Sequence, residues 1–288
     1  MKNFNLFIDL IRFKKPVGYM LLFWPCAWGL TIGYNFQYQM LSYLKYLLLF
    51  FLGSVLMRSA GCIINDIADR NYDKKVERTK NRPIASGAIS VQLGLIYSII
   101  LCLLAFLVLI QFNKFTILLA LLSMPLAFTY PLIKRFTYWP QLFLGITFNY
   151  GLILGWTSSN ENIQIVPLIF YTGAIFWTLG YDTIYGFQDI KDDEIIGVKS
   201  TSIKFKKDPY TFLKACYVIV ILSLLIIGVL MEFNYPYFIF LIFPLLHLFY
   251  YQIKTLDIDN TSNCLKIFKS NNIFGLLVFI NLLIGKLI

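Results

Sequence analysis

Charged residues are scarce in this chain of 288 residues: they make up 14% of it, whereas 58% are apolar. Soluble domains carry about 25% charged residues, so the composition argues against a water-soluble enzyme. Histidine is almost absent, and the single His247 excludes bis-histidine haem ligation. The five cysteines are scattered without a C-x-x-C pair, which predicts small buried side chains rather than disulfides.

Long apolar runs fill the chain instead. A helix needs about 20 apolar residues to cross a bilayer, and nine stretches meet that length within the usual tolerance. They lie near residues 17–35, 41–64, 92–111, 115–133, 138–157, 163–185, 211–231, 235–254 and 270–288. Strands are not predicted, because an open sheet edge in lipid leaves backbone groups unsatisfied. The sequence therefore predicts an all-α polytopic membrane protein, a bundle of nine transmembrane helices in one domain over residues 1–288.

The basic residues are unevenly distributed along these spans. All Lys and Arg residues except Lys45, Lys114 and Lys286 fall on one side of the membrane. Basic residues are retained on the cytoplasmic face, so the N-terminus and the even-to-odd loops are placed in the cytoplasm. The net charge of +10 then needs no nucleic acid to explain it. A basic patch directly before the first span leaves no room for a cleavable transit peptide and favours a bacterial inner membrane, with the active site facing the cytoplasm.

Acidic residues are concentrated in two blocks on that face. In the first, Asn65, Asp69 and Asp73 are spaced i, i+4, i+8 and line one face of a helix, with Asp66 close by. These like charges repel each other unless a cation lies between them. Oxygen ligands of this kind suit Mg²⁺, which shares its remaining positions with substrate phosphates and water. The basic stretch 76–87 that follows can reach a phosphate.

The second block contains Asp182, Asp189 and Asp193 at i, i+7, i+11, which predicts one helical face with Tyr185 between them. Asp182 is placed near membrane depth, where an ionisable group is a functional candidate by default. Two acidic faces that open to the same side predict a cleft for two Mg²⁺ ions and a bridging diphosphate. Because the blocks lie four spans apart, we also consider two parallel halves, about 12–135 and 136–254.

With their flanking residues, the two blocks resemble the signatures of the UbiA superfamily of intramembrane prenyltransferases. The first block reads N-D-x-x-D-x-x-x-D and continues as V-x-R-T-x-x-R-P-x-x-S-G, and the second reads D-x-x-Y-x-x-x-D-x-x-x-D. The head R-x-x-K-P-x-G from Arg12 and the run M-R-x-A-G-C from Met57 are most similar to the branch that prenylates 4-hydroxybenzoate. The resemblance covers residues 12 to about 205, and the last third matches only as apolar helices. Lys14 departs from the pattern, where an acidic residue is expected.

The resemblance implies that a polyprenyl group passes from its diphosphate to the ring of 4-hydroxybenzoate, ortho to the hydroxyl, in ubiquinone biosynthesis. It implies Mg²⁺ as cofactor, which stabilises the negative charge that develops on the leaving diphosphate. The implied metal ligands are Asn65, Asp66, Asp69 and Asp73 for one ion and Asp189 and Asp193 for the other. Arg70, Lys134 and Arg135 are candidates to bind the diphosphate, with Arg135 preferred.

The same resemblance suggests how the acceptor and the allylic cation are bound. Tyr130 and Tyr185 are candidates to face the cation, and Asp182 is a candidate to orient the phenol or accept the ring proton. Arg12, Arg58 and the basic loop are open candidates for the acceptor carboxylate. Loops 65–90 and 189–210 are long enough to close over the cleft, and a lateral opening would leave the apolar tail in lipid.

Two alternatives remain at this point. A prenyltransferase for another acceptor, such as a naphthoate, homogentisate, haem or a chlorophyllide, would share the aspartate faces, although the motif details around Asp66 and Asp182 favour 4-hydroxybenzoate. A transporter or channel would place intramembrane carboxylates along an ion path. Against it, the acidic groups cluster at one face. The expected partners are therefore a polyprenyl diphosphate, 4-hydroxybenzoate and the lipid bilayer, with no nucleic acid.

Overall fold

Helices account for all the regular structure in the described part of the chain, which comprises residues 2–36, 40–133 and 136–288 of a computed structural model. The helices are α1 (Lys2–Leu10), α2 (Val17–Gly33), α3 (Met40–Asp73), α4 (Val91–Leu109), α5 (Lys114–Ile133), α6 (Pro140–Asn160), α7 (Ile165–Gly186), α8 (Ile190–Ile196), α9 (Thr201–Lys204), α10 (Pro209–Leu230), α11 (Tyr235–Phe240), α12 (Ile242–Leu245) and α13 (Thr261–Leu287). A π-helical segment, Leu246–Ile253, follows α12. The all-α prediction is therefore confirmed for these residues.

Six segments of the described chain are long and apolar enough to cross a membrane: α3, α4, α7, α10, Tyr235–Ile253 and α13. Two further helices are apolar: the shorter α2 (Val17–Gly33) and the stretch Lys114–Thr129 of α5. Helix α6 is long enough but contains Gln141, Asn149 and a polar C-terminal end, which lower its hydropathy. Each predicted stretch coincides with helical structure, but the structure supports six membrane-crossing segments by length and composition, so the count of nine is not confirmed.

Helix α3 is longer than the apolar stretch predicted at 41–64, because the first acidic block continues the same helix. Its 34 residues span about 50 Å at 1.5 Å per residue, whereas the hydrocarbon core of a bilayer is about 30 Å thick. The sequence has no glycine or proline between Gly61 and Pro83, so nothing stops the helix at the predicted end near residue 64. Residues 65–73 are therefore helical, and only the part after Asp73 belongs to the predicted loop 65–90.

The segment predicted as one helix over 235–254 is divided. Pro236 lies at the start of α11 and Pro244 lies inside α12, and the chain then continues as the π-helical segment. Proline lacks a backbone donor and collides with the preceding turn, which is why regular α-helical hydrogen bonding does not extend through this segment.

Helices α2 and α6 pack at backbone contact distance. A Cβ atom on Gly29 would lie 1.9 Å from the carbonyl oxygen of Leu152, and one on Gly155 would lie 2.3 Å from that of Cys26. Such close approach is possible only with glycine, and small residues at helix interfaces are typical of membrane bundles. The α2–α6 pair therefore forms a fixed centre around which the other helices are arranged.

Helix α13 joins α2 and α7 across this centre. The indole nitrogen of Trp28 donates to the carbonyl oxygen of Gly275 at 3.0 Å, and that of Trp177 donates to Asn271 Oδ1 at 2.8 Å. Both indoles are fully buried, so their N–H groups need these acceptors. The last third of the chain, which the sequence motifs did not cover, is thus part of the core beside both acidic blocks.

Two long connections lie at the end of the bundle that carries the acidic blocks, and both are packed against the helices. After α3, the hydroxyl of Thr79 donates to the carbonyl oxygen of Asp73 at 3.0 Å. After α8, the backbone N–H of Thr201 donates to Gln141 Oε1 at 3.0 Å, and the hydroxyl of Ser202 donates to the carbonyl oxygen of Thr183 at 2.8 Å. Each connection is therefore held against the helices by its own hydrogen bonds.

Candidate active site

The carboxylates of the first acidic block point into the protein. Asp66, Asp69 and Asp73 are 1%, 3% and 7% exposed, respectively, and lie on one face of α3, as their spacing predicts. Asn65 is half-buried beside them, whereas Arg70 is exposed and makes no ion pair with the described residues. Three carboxylates buried side by side need positive partners, because burying an uncompensated charge is costly.

Arginines supply that positive charge. Arg82 Nη1 donates to Asp66 Oδ1 at 3.2 Å and to Asp73 Oδ2 at 2.8 Å, so one nitrogen lies between two carboxylates. Arg12 also forms an ion pair with Asp66. Arg12 has a φ of 54°, which is uncommon for a residue with a side chain and marks it as a functional candidate.

The second acidic block is bound to the connection that follows α3 by another arginine. Arg78 forms a bidentate ion pair with Asp189: Nε donates to Oδ1 at 2.8 Å, and Nη2 donates to Oδ2. Its Nη1 donates to the hydroxyl of Tyr185 at 3.0 Å, and the guanidinium carbon lies 5.5 Å from the centre of the tyrosine ring. Burial is the largest single influence and lowers the pKa of Arg78, but the hydrogen bonds and charges of Asp189 and Tyr185 together outweigh it, so the pKa is raised. Tyr185 in turn packs on Phe268 of α13, with ring centres 4.4 Å apart.

The prediction that Asp182, Asp189 and Asp193 share one helical face is wrong. Helix α7 ends at Gly186, and α8 begins at Ile190 after a turn in which backbone N–H groups bond three residues back. Asp189 therefore precedes α8, with Asp193 half-buried one turn later.

Asp182 and Arg58 lie deeper in the bundle. Asp182 is half-buried in α7, and no hydrogen bond or ion pair reaches it from the described part of the chain. The charged group acting on it is Arg58 of α3. The guanidinium of Arg58 lies over the ring of Phe148 at 5.3 Å, beside Gly18, where a Cβ atom would approach the guanidinium nitrogen to 2.9 Å.

An apolar cavity of about 360 Å³ continues from Arg58 away from the acidic blocks, between α2, α3, α4, α5 and α6. Gly53 and Gly61 line it on α3. Helices α4 and α5 follow one another in the chain but barely touch, since α4 packs on α3 and α5 on α6. Phe106 and Leu121, on the two sides of this gap, both line the cavity and are exposed. The cavity therefore opens sideways, towards where lipid would lie.

A further cation, Lys15, lies beside Arg12, Arg78 and Arg82, which are here called the arginine layer. Its pKa is lowered, first by burial and then by the positive charges of Arg12, Arg78, Arg82 and Lys269. The sequence analysis gave no role to Lys15 or Lys269. Lys15 stands within the head motif, so the motif could have indicated it. Lys269 is on α13, and only the folded structure brings it to the site.

The donor atoms at the site suit a hard cation held jointly with a phosphate. Among the described residues, no three His, Cys, Asp or Glu side chains converge as a ready-made metal cage. Mg²⁺ does not need one, because it is commonly held by one or two carboxylates together with substrate phosphates and water. The Arg82 nitrogen between Asp66 and Asp73 marks a position that already stabilises positive charge. The residues present therefore fit Mg²⁺.

Three of the predicted site residues are not placed by this structure. Lys134 and Arg135 lie outside the described residues, and the side chain of Tyr130 does too.

Comparison with known proteins places this site in a family. Residues 22–283 match the model of the UbiA prenyltransferase family. The mitochondrial 4-hydroxybenzoate polyprenyltransferase of Caenorhabditis elegans is 40% identical over 99% of this chain and 80% of its own length. The protein of the same name from Homo sapiens is 42% identical over 98% of this chain and 75% of its own length. A 4-hydroxybenzoate geranyltransferase of Lithospermum erythrorhizon is 40% identical over 99% of this chain and 92% of its own length.

Solved structures share the fold. The apo structure of a UbiA homolog from Aeropyrum pernix K1 has a TM-score of 0.77 at 21% identity, covering 93% of this chain and 98% of the homolog. The structure of a UbiA homolog from Archaeoglobus fulgidus bound to GPP and Mg²⁺ has a TM-score of 0.73 at 18% identity, covering 98% of this chain and all of the homolog. At these identities the likeness establishes the fold.

The expected location is wrong. The sequence analysis favoured a bacterial inner membrane facing the cytoplasm, whereas the animal relatives are named as mitochondrial and point to a mitochondrial membrane. That prediction rested on the basic patch before the first span, and basic residues report on which side of a membrane a segment lies, not which membrane it is. The multi-pass character is unaffected. Since the family model covers most of the sequence and relatives about 40% identical cover nearly all of it, the chain belongs to the UbiA prenyltransferase family.

Proposed function

We propose that the protein transfers a polyprenyl group from polyprenyl diphosphate to the ring of 4-hydroxybenzoate, ortho to the hydroxyl, in ubiquinone biosynthesis, and releases diphosphate. The observation that carries this proposal is the layered site: buried aspartates on α3 face Asp189 across an arginine layer, and an apolar cavity lies beneath them. Relatives named for this reaction align with nearly the whole chain.

The proposed ligands of Mg²⁺ are the acidic residues of the two blocks. We assign Asn65, Asp66, Asp69 and Asp73 to one ion and Asp189 and Asp193 to the other. When bound, Mg²⁺ neutralises the charge that grows on the departing diphosphate. Arg70, Lys134 and Arg135 remain the residues proposed from the sequence to bind diphosphate oxygens.

The cavity below Arg58 is proposed to hold the polyprenyl tail. Its lining is mostly apolar, and the gap between α4 and α5 lets a long chain pass into the bilayer. Lipid tails are as apolar as this lining, so moving the tail from bilayer to cavity changes its free energy little. The cavity therefore orients the chain rather than driving its binding, and affinity comes from the charged diphosphate end.

The reacting carbon lies between these two layers, where Asp182, Tyr185 and Arg58 are found. The C–O bond of the donor breaks with its electron pair on diphosphate, the ring carbon of the acceptor bonds to the allylic carbon, and the ring proton leaves. We assign Asp182 to accept that proton or orient the phenol. The ring of Tyr185 already faces a guanidinium, which supports its role in stabilising an allylic cation. Arg58 is assigned to the acceptor carboxylate.

The proposal is tested with membranes that contain the protein, labelled 4-hydroxybenzoate and a polyprenyl diphosphate, with Mg²⁺ or with a chelator. We expect Mg²⁺-dependent conversion of the label into a lipid-soluble product. Asp189→Ala should reduce the rate by about 100-fold or more, because an electrostatic contact to the leaving group is lost. Glu194→Gln is the matched control on α8, since Glu194 pairs with the exposed Lys206. Product with another aromatic acceptor only would contradict the acceptor assignment, and no product with any acceptor would contradict prenyl transfer.

A further inference from the structure

Two arginines of one connection hold carboxylates on opposite sides of the cleft. Arg82 pairs with Asp66 and Asp73 on α3, and Arg78 pairs with Asp189 beyond the end of α7. These are the same carboxylates that are proposed to bind Mg²⁺. A guanidinium and a divalent cation bound to the same carboxylate repel each other, so the two compete.

The backbone that carries these arginines is fixed independently of their side chains. The hydroxyl of Thr79 donates to the carbonyl oxygen of Asp73, and the backbone N–H of Arg82 donates to the carbonyl oxygen of Thr79 at 2.9 Å. The side chain of Arg78 is 41% exposed and that of Arg82 is 19% exposed. Both guanidinium groups can therefore change partner by side-chain rotation, without movement of the chain.

We propose that Arg78 and Arg82 are exchange ligands. Each pairs with a metal-binding carboxylate until the prenyl diphosphate enters with its Mg²⁺ ions, and each then binds diphosphate oxygens. A guanidinium suits both partners, because its planar fork of donors matches carboxylate and phosphate alike. This inference rests on the proposed Mg²⁺-dependent transfer and adds Arg78 and Arg82 to the residues that bind the diphosphate.

Exchange makes the binding of metal and diphosphate mutually dependent. A divalent cation that arrives alone must either displace a guanidinium from its carboxylate or bind beside that positive charge, and both are unfavourable. A cation that arrives with diphosphate supplies the released guanidinium with new acceptors. The affinity for metal alone is therefore held down, and by thermodynamic linkage each ligand strengthens the other.

The test measures two affinities of the full-length protein in lipid nanodiscs. Binding of Mn²⁺ alone is followed by the electron paramagnetic resonance signal of free Mn²⁺. Binding of labelled inorganic diphosphate at saturating Mg²⁺ is followed by equilibrium dialysis. For Arg78→Gln and for Arg82→Gln we expect opposite changes: Mn²⁺ alone binds about tenfold more tightly, and diphosphate binds about tenfold or more weakly, since each variant loses one charge-assisted contact.

Lys15→Gln is the matched control for the loss of one positive charge. Lys15 lies in the same layer as both arginines but forms no ion pair within the described chain, so its removal should alter the affinity for Mn²⁺ alone by less than about threefold. If the arginine variants bind Mn²⁺ no more tightly than the wild type, the exchange inference is overturned while the proposed function stands. If the wild type binds no Mn²⁺ even in the presence of diphosphate, the metal assignment fails, and the exchange fails with it.

Discussion

Substitution of Asp182 by asparagine tests whether this side chain serves the reaction or the stability of the fold. Asp182 lies inside α7, one turn before that helix ends at Gly186, whereas Asp189 lies beyond the turn that follows. It is half-buried in a membrane span and receives no hydrogen bond or ion pair from the described residues. Such a carboxylate is held at an energetic cost, which is why we propose that its charge serves the reaction.

We expect Asp182→Asn to lower kcat by about 100-fold to 10,000-fold, the usual contribution of a positioned acid or base. The folded protein should be as stable as the wild type or more so, because asparagine keeps the shape and removes a poorly compensated charge. The rate is measured in detergent with both substrates saturating, and the midpoint of thermal unfolding is measured on the same preparation. Asp192→Asn on α8 is the control, since Asp192 has no assigned role.

Two results would refute this reasoning. A rate within about tenfold of the wild type would remove Asp182 from the proton-transfer step. A large fall in the unfolding midpoint, with activity lost in proportion to folded protein, would show that its role is structural.

Three further predictions concern the packing of α2 on α6, Lys15 in the arginine layer, and the apolar cavity. Gly155→Ala should destabilise the protein by about 3 kcal/mol, because the added Cβ atom would lie 2.3 Å from the Cys26 carbonyl oxygen. Gly53→Ala is the control: its Cβ atom would meet only a methyl group at 4.0 Å, so this variant should be as stable as the wild type or more so in thermal unfolding. Lys15→Met should raise the midpoint of thermal unfolding at pH 7.5, because the pKa of Lys15 is lowered in the folded protein and the unfolded chain therefore binds more protons. The difference in midpoint from the wild type should shrink as the pH approaches 10.5, the ordinary pKa of lysine. A difference that grows with pH would contradict this prediction. Gly61→Leu should fill part of the cavity, because a Cβ atom at this position meets nothing within 4 Å. In a competition assay we expect turnover of long donors to fall more than turnover of geranyl diphosphate. An equal loss for both donors would contradict the assignment of the cavity to the polyprenyl tail.

The first acidic block could be predicted from sequence because its information is local. The spacing of Asn65, Asp69 and Asp73, with Asp66 close by, predicts one helical face, and on α3 the three aspartates are buried and Asn65 is half-buried. Amphipathic spacing of this kind depends only on helix geometry, so it needs no knowledge of the neighbouring elements. What it could not indicate is the length of α3, because the predicted end rested on hydropathy and not on a helix-stopping residue.

The second block shows where such local reasoning fails. Asp182 and Asp189 were assigned to one face on the assumption of a continuous helix, but the helix ends at Gly186. Asp189 pairs with Arg78, 111 residues away in the sequence, and one of the two arginines that pair with Asp66 is Arg12, 54 residues away. Pairings at this distance depend on how the helices pack, and no periodicity within either segment encodes them.

The arginine layer also explains why two basic residues recur four positions apart after the first block. Buried carboxylates on α3 must be neutralised whenever the substrate is absent, and a hydrophobic substitute would not bind diphosphate when it is present. Because Arg78 and Arg82 lie on one anchored turn, the first reaches Asp189 and the second reaches Asp66 and Asp73, so a single short segment spans the cleft. The spacing of the R-T-x-x-R motif is therefore set by the distance between the two acidic blocks, and a residue inserted between these arginines should break one of the two contacts while leaving both blocks intact.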